Sequence, residues 1–148
     1  MKLLIETWNK FIQVNKDMKR VSKAIMIGDM PNFNDGKVLI LKRNKTHVTK
    51  ESPYEWDLPG GHIQEGESDK HGLAREVTEE TNLNLPHIPK WFMLSGHTRF
   101  YVINDWTGEL QLSHEHDDYE WIYPQEVTNY KLGKMYSKAI QAAFEENK

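Results

Sequence analysis

Glu76, Glu79 and Glu80 are close enough in the chain to act together. On an α-helix at about 100° per residue they share an arc of about 100°. Leu73, Ala74, Val77 and Thr81 fill the neighbouring arc, so one face would pack while the adjoining face presents three carboxylates. Like charges at i, i+3 and i, i+4 repel by about 0.2–0.5 kcal/mol per pair on an exposed helix. Arg75 relieves Glu79 at i+4, whereas Glu76 and Glu80 have no basic residue at i±4. Clustered hard oxygen ligands are what Mg²⁺ requires, and a bound divalent cation removes the repulsion. A solvated acidic helix end has the same spacing, so both readings stand at this point.

The helix that must carry these groups is expected over residues 68–80. Ser68 suits its N-cap, and Asp69 suits the positive end of the first turn. Gly72 sits one turn before Glu76, where a glycine costs about 1 kcal/mol relative to alanine. It either lets another segment approach closely, such as the turn Leu58-Pro59-Gly60-Gly61, or serves tight packing alone. Strands are expected at residues 21–27 and 37–43, as an antiparallel pair around the turn-rich segment 30–36. Further strands are expected at residues 54–58, 91–104 (broken by Ser95 and Gly96), 109–112 and 119–122. A terminal helix is expected over residues 136–147, with Ala139, Ile140, Ala143 and Phe144 on one side. Strands with two segregated helices indicate an α+β fold.

At 148 residues the chain is read as one domain over residues 21–148, preceded by an arm over residues 1–20. Leu4, Trp8, Phe11 and Ile12 recur at helical spacing, so that arm is either a short helix or an irregular segment laid on the domain. With 5 Trp, 6 Tyr and 5 Phe, the chain has the material for a sizeable core. The absence of cysteine excludes a disulfide scaffold, a thiolate zinc site and a cysteine nucleophile. A net charge of −3 gives no global field that favours nucleic acid. The apolar run from Leu3 to Ile5 is too short for a signal peptide or a membrane helix. The expectation is a cytoplasmic protein with a small-molecule partner and no membrane or specific nucleic-acid partner, with the arm as a candidate for pairing in a homodimer.

The pattern Gly61, five residues, Glu67, seven residues, then Arg75-Glu76-Val77-Thr78-Glu79-Glu80-Thr81-Asn82-Leu83 resembles the box of the Nudix hydrolases. That box reads Gly-x5-Glu-x7-Arg-Glu-U-x-Glu-Glu-x-Gly-U, with U aliphatic. The single departure is Asn82 in place of the final Gly. That position follows the helix end and needs a left-handed residue, for which Asn is the next best choice. Leu58-Pro59-Gly60-Gly61 ahead of the box is also similar to the family.

The resemblance implies an α/β/α sandwich with a mixed sheet, a central helix carrying the box and a C-terminal helix. It implies hydrolysis of a nucleoside diphosphate linked to another moiety X, by water attack on phosphorus, with Mg²⁺ or sometimes Mn²⁺ as cofactor. Carried over residue by residue, Glu76, Glu79 and Glu80 are metal ligands, with Glu79 and Glu80 the main pair and the Gly60 carbonyl a further ligand. Arg75 orients the glutamates, Gly61 opens the box, and Glu67 supports the helix start and reaches towards a metal-bound water. The general base is either a glutamate of the box or one on a later loop, where Glu115 is the candidate as base or extra ligand.

Other signals carry less. His114 and His116 have the spacing of a zinc pair, yet a solvated loop explains them as well. His62 follows the glycine turn, within reach of a phosphate or simply exposed. Among Tyr54, Trp56, Phe100, Tyr101 and Trp106, most are expected in the core, with Tyr54 and Tyr101 the candidates for substrate stacking. Tyr101 lies 18 residues after Leu83, a distance similar to that of a tyrosine in some dinucleoside-polyphosphate hydrolases of the family. The proline typical of ADP-ribose hydrolases is absent near that position. Two other readings stand beside the hydrolase: a nucleotide-binding sensor module of the same fold without turnover, and an interaction protein with a solvated acidic helix. Metal-dependent turnover separates them.

Overall fold

The computed structural model describes residues 19–28 and 36–146. The arm read for residues 1–20 lies outside the described residues except for its last two, as does nearly all of segment 30–36. In chain order the elements are β1 (Val21–Met26), β2 (Val38–Arg43), β3 (Trp56–Asp57), β4 (Gly60–His62), α1 (Asp69–Thr81), β5 (Met93–Ser95), β6 (Thr98–Ile103), β7 (His116–Ile122) and α2 (Lys134–Glu146). Short 3₁₀ turns occupy Lys45–His47 and Pro124–Asn129.

Alternation with period 2 divides the core between two faces. Ala24 and Met26 of β1, Leu39 and Leu41 of β2, and Tyr101 and Ile103 of β6 pack with Leu73 and Val77 of α1. Their neighbours Ile25, Val38, Ile40 and Phe100 pack with Ala139, Ile140 and Ala143 of α2. The helices therefore cover opposite sides of the strands, which is the α/β/α sandwich. Each fully buried Leu or Ile contributes about 1.5–3 kcal/mol by leaving water.

The strands form two sheets, in the orders β4-β1-β6-β5 and β3-β2-β7. β1 and β6 run parallel, and every other pair is antiparallel. The expected β1–β2 pair is thus corrected. The two strands meet at the bridge Ile27↔Val38 and then part into separate sheets. The reason is that a strand has two edges, and each of these has both edges taken by other partners.

Three further expectations change. Residues 109–112 form no strand. Instead the Gln111 N–H donates to the Thr81 carbonyl at 2.9 Å, and the Ser113 N–H donates to the Glu80 carbonyl at 3.1 Å. This segment satisfies carbonyls that α1 leaves open at its end. Gly60 and Gly61, read as a strand stop, are themselves β4, paired with Lys23 and Ser22 of β1. β7 begins at His116, so His116 to Asp118 belong to a strand rather than to a loop. Among the described residues no helix is long and apolar enough to cross a membrane.

α1 ends as the sequence suggests. Asn82 is left-handed, at φ 64° and ψ 11°, and its backbone N–H donates to the Thr78 carbonyl. Its side-chain Nδ2 also donates to the Glu109 carbonyl at 3.1 Å. Asn82→Ala is expected to cost about 1–2 kcal/mol in urea unfolding, the penalty of a Cβ in this region without local compensation. Asn82→Gly should stay within about 0.5 kcal/mol of the unsubstituted protein.

Candidate active site

The box helix is anchored before it presents any carboxylate. The Ser68 side chain accepts from the His71 N–H at 3.1 Å and caps the helix. Asp69, in the first turn, takes Arg99 Nη1 at 2.8 Å and Arg20 Nη1 at 3.0 Å, tying α1 to the sheet. A Cβ at Gly72 would stand 2.5 Å from Ile63 Cδ1 and 2.8 Å from Glu67 Oε1. Of the two readings of Gly72, the close approach of another segment is the one found. It is made by Ile63 and Glu67, whereas the turn at residues 58–61 meets the helix further along, at Glu76 and Glu80.

Arg75 organises one flank of the site. Its Nε donates to Glu67 Oε2 at 2.8 Å and its Nη2 to Glu67 Oε1 at 3.1 Å, a bidentate pair. Its Nη1 reaches Glu76 Oε1 at 3.1 Å and Glu79 Oε2 at 3.2 Å. Its Nη2 also donates to the His62 carbonyl at 3.2 Å. Hydrogen bonds from Arg75 and from the Gln64 N–H hold the Glu67 carboxyl down at about 2. Glu67 itself touches no other box carboxylate in these contacts and acts as the counter-charge that fixes the guanidinium.

The other flank is built around Glu80. This residue is 4% exposed, and its Oε1 accepts the Gly60 N–H at 2.8 Å. Burial pushes its carboxyl up to about 8, against the opposing pull of Lys23 and the Gly60 N–H. The charge of a bound cation would act against that burial effect. β4 sits so close to β1 that a Cβ at Gly60, where φ is +130°, would meet the Ser22 carbonyl oxygen at 2.1 Å. A Cβ at Gly61 would lie 2.7 Å from Glu76 Cδ, so the bare backbone lets Glu76 fold over the strand.

Lys23, which the sequence reading passed over, locks this turn. Its buried Nζ donates to Asp57 Oδ1 at 3.0 Å, to the Leu58 carbonyl at 3.1 Å and to the Gly60 carbonyl at 3.4 Å. Burial alone would lower the Lys23 ammonium. Asp57, Tyr136 and Glu80 together more than reverse that, so it remains charged. The signal was a lysine inside the apolar strand Val21–Met26.

The Glu80 flank, together with Glu76 from the other, opens onto a cleft of about 940 Å³. Glu76, Glu80, Gly60, Gly61 and Glu115 line it, together with His116 and Lys23. Glu79 is not among the lining residues. Its side chain is 59% exposed and lies on the helix flank against Arg75. Of the aromatics, Tyr54 and Trp56 line the cleft, and Trp56 meets Tyr130 edge-on at 5.2 Å between centroids. Tyr54 is held by Arg43, whose Nη1 donates to the Tyr54 carbonyl at 2.8 Å and to Ser52 Oγ at 2.9 Å.

Tyr101 is a correction: only 1% exposed, it packs in the core beneath α1 and has no free face for a base. Phe100 and Trp106 are likewise buried. His62 and His114 are exposed, whereas His116 is enclosed. Glu80, Glu115 and His116 each offer a ligand atom within 4.8 Å of the other two, a donor set that fits a divalent cation.

Two outcomes follow from these contacts. Lys23→Met would leave Asp57 facing an apolar wall, and it should cost about 3 kcal/mol in urea unfolding, as breaking one side of a largely buried pair does. Adding Asp57→Leu should recover part of that loss. The Glu67 contribution should depend on pH with a definite sign. Its folded value is depressed, so its stabilisation is complete above its ordinary value of 4.5 and disappears as pH falls towards about 2. The melting-temperature gap between the unsubstituted protein and Glu67→Gln should accordingly narrow over that window.

The NUDIX domain family model matches residues 29–143. The chain is 30% identical over 104 residues to the 8-oxo-dGTP diphosphatase of Buchnera aphidicola subsp. Schizaphis graminum, covering 64% of this chain and 79% of that protein. It is 28% identical over 126 residues to the nucleoside triphosphatase NudI of Escherichia coli O139:H28, covering 73% and 88%. The solution structure of the E. coli ORF135 protein is similar with a TM-score of 0.66 at 26% identity, over 86% of this chain and 89% of that one. The box on α1, the sandwich that displays it and a family match running through both place this chain in the Nudix hydrolase family.

Proposed function

We propose that the protein is a pyrophosphohydrolase of nucleoside diphosphates linked to a group X, with nucleoside triphosphates, for which X is phosphate, as the foremost class. The observation that carries this reading is a cleft in which Glu76, Glu80, Glu115 and the Gly60 backbone converge. The activities named for two relatives, a nucleoside triphosphatase and an 8-oxo-dGTP diphosphatase, support the triphosphate class.

Glu76, Glu80 and the Gly60 carbonyl would hold a divalent cation, Mg²⁺ or Mn²⁺, with Glu79 joining from the helix flank. When bound, that cation neutralises the pyrophosphate and activates water. Arg75 keeps Glu76 and Glu79 oriented through its hydrogen bonds to both. Glu115 is exposed at the mouth, so its carboxylate is free to take the proton of the attacking water. The Tyr54 ring, 43% exposed on the cleft wall, supplies a flat face for a base.

The test is a panel of nucleoside triphosphates, oxidised and normal, with dinucleoside polyphosphates, nucleotide sugars and ADP-ribose, assayed with Mg²⁺ in ¹⁸O-water. Label is expected in a phosphate product. Label on a sugar carbon would mean glycosidic cleavage and refute the mechanism, while nucleotide binding without turnover would indicate a sensor. Glu115→Gln is expected to lower kcat by about 10²–10⁴ with little change in KM, the range for loss of a general base. Asp117→Asn and Asp118→Asn, which share the local charge, should stay within about threefold, under 1 kcal/mol of transition-state stabilisation. A loss under about threefold at Glu115 would assign the base to the box helix.

A further inference from the structure

His116 begins β7, a strand whose next four residues are exposed, yet its own side chain is 5% exposed. The ladder between β2 and β7 slips at this point. Lys42 stands opposite Asp118, but Arg43 stands opposite His116, so Asp117 is the extra residue of a bulge. Bulges beside active sites commonly re-aim a side chain, and this one re-aims an imidazole into the cleft.

There the ring meets no ordinary partner. Nδ1 is buried without a hydrogen bond. The other ring nitrogen, Nε2, stands 3.6 Å from Glu80 Oε2, beyond N–H···O length. Glu80 has already spent Oε1 on the Gly60 N–H, so Oε2 is its free oxygen. Two ligands at about 2.1 Å from one cation are about 3.4 Å apart at the tetrahedral angle, which is close to the spacing seen here. The exposed Glu115 supplies a third ligand atom, within 4.8 Å of the other two.

We propose that His116 is a nitrogen ligand which, with Glu80 and Glu115, makes a mixed nitrogen–oxygen cation site that selects a first-row transition ion such as Co²⁺ or Zn²⁺ over Mg²⁺. Imidazole favours these ions, whereas an all-oxygen set favours Mg²⁺. The site shares Glu80 and Glu115 with the hydrolase reading, Glu115 serving there as the base, but its occupancy requires no nucleotide and no turnover. The protein without nucleotide is therefore the material for the test. A hydrolase lacking the nitrogen ligand would refute this inference alone, and a protein that hydrolyses nothing would leave it standing.

Co²⁺ added to the unsubstituted protein should produce a paramagnetically shifted, exchangeable imidazole N–H resonance far outside the diamagnetic range, lost in D₂O. His62→Gln and His114→Gln, both at exposed positions, should keep it, and His116→Gln should abolish it with the near-ultraviolet circular dichroism unchanged. By calorimetry His116→Gln should weaken Co²⁺ by about tenfold or more and Mg²⁺ by less than about threefold. Absence of the resonance from the unsubstituted protein overturns the proposal without recourse to any variant. So does its persistence in His116→Gln, its loss in either control, or an equal loss of affinity for both ions.

Discussion

A carboxylate taken out of water governs the architecture of this site. Burying Glu80 without partners would cost several kcal/mol, and groups reach it from three directions, of which the Gly60 N–H and Lys23 offset part of that cost. The Gly60 N–H reaches one oxygen, the Lys23 ammonium lies close enough to pull its titration down, and His116 faces the other oxygen. Those partners come from β4, β1 and β7. The carboxylate of α1 is thus the point where both sheets and the box helix meet. The close packing of β4 on β1, which only glycine permits at residue 60, is a condition of that meeting.

Two permanent cations divide the work. Arg75 uses its planar fork on Glu67, Glu76 and Glu79, so one guanidinium sets the orientation of three carboxylates and relieves their repulsion. Lys23 is a point charge and holds a different thing, the backbone of the turn, through Asp57 and two carbonyls. Neither is spent on the free face of Glu80. That face is left to Glu115 and His116, the groups able to take a cation or a proton there. The division explains why the acidic cluster is stable in the folded chain although the helix alone would resist it.

The box was legible because its chemistry is local. Residues 61–83 carry a helix cap, a periodic packing face, a set of carboxylates and a left-handed stop, and each depends on neighbours within a few positions. The α+β class followed from strands with two segregated helices, and the sandwich from the resemblance of the box to the family's. Other elements misled for equally physical reasons. Residues 109–112 have strand-like composition, but the open carbonyls of α1 claim their N–H groups. Tyr101 has the type and spacing of a substrate contact, but strand alternation turns it inward.

The sequence by itself determined which residues could do chemistry, the helix that spaces them and the two-sided core, since periodicity and capping are set by adjacent residues. Only the tertiary structure decided which of those groups share a cleft. Glu80 and Glu76 enter it, Glu79 stays on the helix flank beside Arg75, and Lys23, Asp57 and His116 join from far along the chain. Such company is fixed by strand register and by a one-residue bulge in β7. These depend on pairings between distant segments, and no local pattern encodes them.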